Sequence, residues 1–292
     1  MATAQAIDPK AGNVSERAQA RRETRAVLLR RPGFLIGSVI LGIWAVCAIA
    51  GEAITPYDAF NDFATGHTPP NAEHLMGTDR LGRDVLSRVI VGARDVLIVA
   101  PLAALLGVGV GSILGLIMGY YQGFVDDILS RIVEAFLSLP VILVALLTLV
   151  VLGSSTLVVV MVVGILFTPI VARTVRSAVL AERQLDYVTA AKLRGESGMF
   201  IIIREIFPNI RGPIIVELTV RFGYAIFTVA TLSFLGVGIQ PPSPDWGLSI
   251  SEEYSNMISG KWWPTLFPAF AIASCVIAVN LIADALQSVA SE

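Results

Sequence analysis

The chain has 292 residues, 55% of them hydrophobic and 15% charged, with a formal net charge of −2 and a mean hydropathy of +0.74. So apolar a composition excludes an ordinary soluble domain, because the apolar residues fall in uninterrupted runs of about 20 residues or more, enough for a helix to cross a bilayer. The small net charge excludes nothing; its distribution along the chain is what informs.

Residues 1–31 form a polar, flexible cationic tail carrying Lys10, Arg17, Arg21, Arg22, Arg25, Arg30 and Arg31 against Asp8, Glu16 and Glu23. Pro32 to Gly51 is free of charge and predicts a first spanning helix. Ala48-Ile49-Ala50 has the form of a signal-peptidase site, but the long apolar run and the long tail before it argue for a retained helix. Cys47 lies in this run and Cys275 in a later one, so both read as small buried hydrophobes rather than a disulfide or metal site.

Glu52–Asp95 is polar, holds His67 and His74, and ends in MGTDRLGRDVLSRVIVGARD. Its interleaved Arg80, Arg83, Arg88, Arg94 and Asp79, Asp84, Asp95 predict an amphipathic surface helix with Leu81, Val85, Leu86 and Val89 turned to lipid. Val96–Val125 is a second span, in which Gly107, Gly111, Gly115 and Gly119 recur at four-residue steps and line one face for close helix packing. Asp126, Asp127 and Arg131 mark a short turn. Ala135–Ala172 is charge-free for 38 residues, too long for one helix, and Gly153-Ser154-Ser155-Thr156 divides it into two spans, with Pro140 and Pro169 as kinks inside them.

Leu185–Asn209 is too charged to cross a bilayer. Helix-forming residues lead to Gly195, a natural helix stop, and the spacing of Met199, Ile202, Ile203, Ile206 and Ile210 builds one helical stripe that Pro208-Asn209 ends. The expected unit is helix, glycine turn, helix: a knob with small residues at its apex. Pro213–Gly236 and Trp263–Ala283 supply the fifth and sixth spans, with Trp246, Trp262 and Trp263 as interfacial anchors.

Basic residues orient the bundle. An inside N-terminus puts seven in the tail, seven in the 173–211 loop and Arg131 on the cytoplasmic side, against Arg80, Arg83, Arg88, Arg94 and Lys261 outside. The expectation is an all-α protein of six transmembrane helices, both termini and the knob cytoplasmic. Its parts are a tail (1–31), the first helix with an outer segment (32–95), a transmembrane core (96–286) holding the loop 173–212, and a short tail (287–292).

Catalytic signatures are missing: there is no G-x-x-x-x-G-K-[ST] phosphate loop, no H-E-x-x-H, no serine–histidine pair in facing helices and no paired intramembrane aspartates. Glu134, Glu217, Arg221 and Asp284 are the charges nearest membrane depth; Glu217 with Arg221 reads as an i,i+4 ion pair rather than a substrate ligand, and no chain of acidic residues for proton coupling is present. No catalytic residue, cofactor, metal site or nucleic-acid partner is expected in this chain.

Three blocks carry a resemblance. YVTAAKLRG…IIIREIFPN, HLMGTDRLGRDVLSRVIVGAR and SFLGVGIQPPSPDWG are similar to the inner-membrane permease subunits of ATP-binding-cassette (ABC) importers, in the dipeptide/oligopeptide/nickel group and its DppC/OppC-like branch. The resemblance covers about residues 30–285 and implies a type I importer bundle in the bacterial inner membrane. In that family the first block is the EAA coupling loop, so Asp186, Tyr187, Thr189, Ala190, Ala191, Gly195, Pro208 and Asn209 would dock on an ATPase subunit. Thr189 stands where the family usually has a glutamate, and Ala283-Asp284-Ala285-Leu286 is looser than the usual G-D-x-x-R ending. The implied partners are a second, DppB/OppB-like permease in a heterodimer, two ATP-binding subunits that hold ATP and magnesium, and an extracytoplasmic binding protein that delivers a short peptide. The same architecture could import nickel or glutathione, and a non-transporting membrane scaffold is the rival of another class.

Overall fold

The computed structural model describes residues 27–61 and 64–290, so the greater part of the cationic tail, residues 1–26, lies outside the described residues. Helices make up almost all of the regular structure; the one β feature among the described residues is an isolated bridge between Thr78 and Asp84.

Helix α1 (Pro32–Ile54) starts with proline at its first position, where the missing N–H is harmless. It lies on the outside of the bundle with Leu35, Ile36, Val39, Ile43, Val46 and Ile49 exposed, as a helix surrounded by lipid requires. Gly37 lets it approach the last helix closely: a Cβ there would stand 2.5 Å from the Ala278 carbonyl oxygen.

Helix α2 (Val85–Tyr121) has 37 residues, about 55 Å at 1.5 Å per residue, and so extends past the hydrocarbon layer at one end or both. The surface-helix expectation for residues 76–95 is corrected here. Asp84 caps α2, accepting from the Ser87 N–H at 2.8 Å, and Val85 and Val89 are buried in the core; only Leu81 is exposed.

The next span is corrected too. Asp126, Asp127 and Arg131 do not form a turn but lie within α3 (Gly123–Leu137), which meets α4 (Val141–Leu152) at 85°. Pro140 sits at the break, capping α4 rather than kinking a continuous helix. Among the described residues five helices are long and apolar enough to cross a membrane, six if the bent pair counts as one span.

Helix α5 (Thr156–Glu182) is capped by Ser155 and carries Pro169 inside it. It packs along α2 on the predicted glycine row. A Cβ at Gly107, Gly111, Gly115 or Gly119 would lie 2.6–2.8 Å from Gly164, Val171, Ala172, Val175 or Val179 of α5. Such distances leave no room for any side chain, so the two backbones meet directly.

Short α6 (Asp186–Leu193) follows, then α7 (Gly198–Phe234), α8 (Trp246–Glu253) and α9, which runs from Trp263 to Ala290 and so continues through the first part of the segment assigned to a C-terminal tail. Pro208 does not end a helix. Residues Ile201–Ile206 form a wide π turn, in which the Phe207 N–H reaches back to the Ile202 carbonyl, and α7 continues through Pro208. The wider register accommodates a residue that has no N–H to give.

Trp246 is no interfacial anchor. It is wholly buried, donates its indole N–H to the Val89 carbonyl at 2.9 Å, and takes Trp44 edge-on with ring centroids 4.8 Å apart. Trp263 is also buried, bonded to the Thr78 carbonyl at 3.0 Å, which leaves Trp262 exposed.

Candidate functional site

The knob stands at the end of the bundle where α5 stops. Its first helix, α6, closes on two backbone bonds: the Gly195 N–H to the Lys192 carbonyl at 3.0 Å and the Glu196 N–H to the Ala191 carbonyl at 3.2 Å. Those are the paired bonds of a Schellman stop, and they need the left-handed φ of +77° that Gly195 supplies. Two residues later Ser197 restarts the chain by capping α7, accepting from the Phe200 N–H at 3.3 Å.

Apolar residues fix the knob to the bundle. Val188, Ala191, Ile201, Ile202, Ile206 and Ile210 are buried against Val171, Val175 and Val179 of α5 and Leu116 of α2. Polar bonds then tie its two helices together. The Tyr187 hydroxyl donates to Glu182 at 2.5 Å and receives the Asn209 amide at 3.0 Å; Arg194 spans to Glu205 at 3.2 Å. Burial, and then the Glu182 carboxylate it serves, push the Tyr187 phenol up to about 12.

The predicted stripe is split by this packing. Ile202, Ile206 and Ile210 face inward, while Met199 and Ile203 are more than half exposed beside Leu193, which is 85% exposed. Among the candidate coupling residues, Asp186, Thr189, Ala190, Gly195, Pro208 and Asn209 are exposed and Tyr187 is half-buried. Ala191 is fully buried, so it belongs to the floor of the knob rather than its outer surface. The result is a rigid body whose outer face presents apolar side chains to nothing in this chain.

The opposite end of the bundle is closed by a polar cap made from the segment between α1 and α2 and the segment from α7 to α9. Asp79 accepts from the Leu81 and Arg83 N–H groups at 2.9 Å and pairs with the Arg83 guanidinium at 2.6 Å; Arg83 continues to Glu252 at 3.0 Å. Buried Glu253 accepts from His67 and from the Arg80 N–H, each at 2.8 Å, and from Asn256 at 3.0 Å. Lys261 donates to the other ring nitrogen of His67 at 3.0 Å, which puts the ring proton on the Glu253 side. His74 pairs with the capping Asp84 at 2.9 Å. The two histidines are thus held in separate hydrogen-bonded pairs, His67 with Glu253 and His74 with Asp84. Asp245, wholly buried, caps α8 through the Leu248 N–H at 2.9 Å, and burial raises its carboxyl to about 6.

Sequence patterning missed this cap because its pairs join residues about 170 positions apart; the one signal was the density of arginine and aspartate beside glycines. Glu217 and Arg221 form the expected i,i+4 pair at 3.3 Å, and Thr174 donates to Glu217 at 3.0 Å. Among the described residues no group of three His, Cys, Asp or Glu side chains is placed to hold a metal ion.

Comparison with known proteins agrees with the architecture. Residues 111–291 match the family model described as the binding-protein-dependent transport system inner membrane component. Among curated relatives, a putative peptide transport system permease protein of Brucella suis biovar 1 is 38% identical over 267 residues, covering 90% of this chain and 88% of the relative. The dipeptide transport system permease protein DppC of Bacillus subtilis is 37% identical over 87% of this chain and 79% of its own length. The glutathione transport system permease protein GsiD of Escherichia coli O6:H1 is 39% identical over 83% and 80%.

Proposed function

The chain belongs to the family of binding-protein-dependent transport system inner membrane components, and we propose that, as the multi-span permease subunit of an ABC importer, it carries short peptides across the bacterial inner membrane. The observation that carries the mechanism is the knob: a rigid apex with Leu193, Met199 and Ile203 exposed, seated on α2 and α5. With no nucleotide motif in the chain, energy enters through this apex, from two ATP-binding partner subunits that close when they bind ATP. Both termini and the knob then face the cytoplasm, in line with the excess of basic residues on that side.

Force on the knob reaches the membrane through α5, which is the direct continuation of α6 and lies on the glycine row of α2. A seam in which backbone meets backbone, with no side chains interlocked across it on the α2 side, can shift between two packings at low steric cost. A second, related permease completes the path, and an outer binding protein delivers the cargo over the cap. Peptide is favoured as cargo by the names of the relatives from Brucella suis and Bacillus subtilis. Glutathione, itself a peptide, is the second reading, on the strength of the Escherichia coli relative.

Leu193→Glu tests the coupling. Leu193 contributes nothing to the buried floor, so the variant should insert and fold as the wild type does, yet lose co-purification with the ATPase subunits and with it at least about 90% of peptide uptake. Undiminished uptake would remove the knob from the mechanism. Competition between labelled dipeptide and glutathione in the same cells separates the two cargoes.

A further inference from the structure

Beside the inner half of α5 runs a groove of about 700 Å³, lined by Leu137, Ile170, Arg173, Thr174, Ser177 and Ala178. That volume is within the range of small-ligand sites. Arg173, expected in the inner loop, instead lies within α5, nine residues or roughly 14 Å before the end of that span-length helix. Ser177 is one turn further along and projects from the same face. Both side chains are exposed to the groove, and neither makes a hydrogen bond or ion pair with another described residue.

The neighbouring groups are already engaged. The Thr174 hydroxyl donates to Glu217 at 3.0 Å, and Glu217 is held by Arg221 at 3.3 Å. No acidic residue lines the groove, and the remaining lining, Leu137, Ile170, Ala178 and Ala181, is apolar. The passage therefore offers one uncompensated guanidinium, one free hydroxyl donor and walls that discriminate little among side chains. A zwitterionic peptide in such a place needs above all a partner for its carboxylate, because an unpaired anion away from water is expensive. A guanidinium meets a carboxylate with two parallel N–H donors, which an ammonium cannot do.

We infer that Arg173, with Ser177 beside it, holds the C-terminal carboxylate of the peptide as it passes along α5. This rests on the peptide-import reading and sharpens it: what the permease recognises is the end of the cargo common to all peptides, not its side chains.

The test uses the assembled transporter in proteoliposomes and a peptide that the wild type accepts both as the free acid and as the C-terminal amide. Arg173→Gln is compared with wild type for each form, and because the same binding protein serves both, its own preference cancels in the ratio. Uptake of the acid should fall about tenfold or more, the loss expected for one charged hydrogen-bond pair, while uptake of the amide stays within about twofold. The second permease should co-purify with the variant as it does with wild type. A parallel fall for acid and amide, no fall in either, or loss of the second permease (which would make Arg173 an interface residue) overturns the inference. If the wild-type transporter takes up no peptide of either form, the peptide reading itself fails and this inference falls with it.

Discussion

The two ends of the bundle solve the same problem in opposite ways. At the cap, charged side chains drawn inward meet partners from this same chain: Arg83 meets Asp79 and Glu252, Glu253 meets His67 and the Arg80 N–H, and His74 meets Asp84. At the knob, the floor is equally well packed, but the outer face leaves Leu193, Met199 and Ile203 uncovered. The cap too leaves apolar side chains such as Leu75 and Ile258 exposed, so the difference lies in its density of paired charges. At the knob the exposed apex and the buried floor lie on the same two helical segments, which is what the proposed docking of a partner would use.

Between the ends runs the α2–α5 seam, and damaging it should erase the contrast altogether. Gly111→Leu would force a Cβ to within 2.6 Å of the Val171 Cβ and 2.8 Å of the Thr168 carbonyl oxygen. Overpacking destabilises by about 1–3 kcal/mol, and against backbone at the upper end, so both cap and knob should lose protease resistance in membranes and uptake should fall steeply. Full uptake by this variant would show that the helices do not need close approach.

A smaller effect, confined to the cap, comes from Asp245. Its carboxyl is raised to about 6 by burial, with Asp95 nearby adding to the rise, so the folded state favours the protonated form. The stability this supplies is fully present below the ordinary carboxylate value of 3.8 and is lost as pH rises through about 6. A rise of that size corresponds to about 2–3 kcal/mol. Thermal stability should therefore fall between about pH 4 and pH 7, and Asp245→Asn, which keeps the cap bond to Leu248, should flatten that fall and raise stability at pH 7. Denaturation in detergent across this pH range measures it; identical curves for the two chains would mean that Asp245 is not the group responsible.

How much of this was legible in the sequence divides along the same line. Five of the expected spans, the break at Gly153–Thr156, the glycine row and the helix–Gly195–helix knob follow from local pattern and are in the structure, whereas the span expected from Ala135 is instead a bent pair of helices. The outer face of the knob was half legible: five apolar residues at helical spacing predict one stripe, but the π turn at Ile201–Ile206 rotates Met199 and Ile203 away from the floor. What failed depends on distant partners. Asp126 looks like a turn residue until Arg176, 50 positions on, clasps it at 2.6 and 2.5 Å and holds α3 against α5. Alternating arginine and aspartate look alike whether they lie along a solvated helix or inside a buried network; only Glu252 and Glu253, far along the chain, decide for the network. The same holds for Trp246, whose burial depends on Val89 and Trp44.

On the proposed function, ATP-binding subunits cover the knob and leave the cap uncovered. Backbone hydrogen exchange of the chain, followed with and without its ATP-binding subunits, addresses it directly. Residues around Leu193, Met199 and Ile203 should gain protection of about tenfold or more when those subunits are present, while residues 64–84 and Trp246–Glu253 keep their rates. Protection that appears at the cap, or nowhere in Leu185–Asn209, would contradict it.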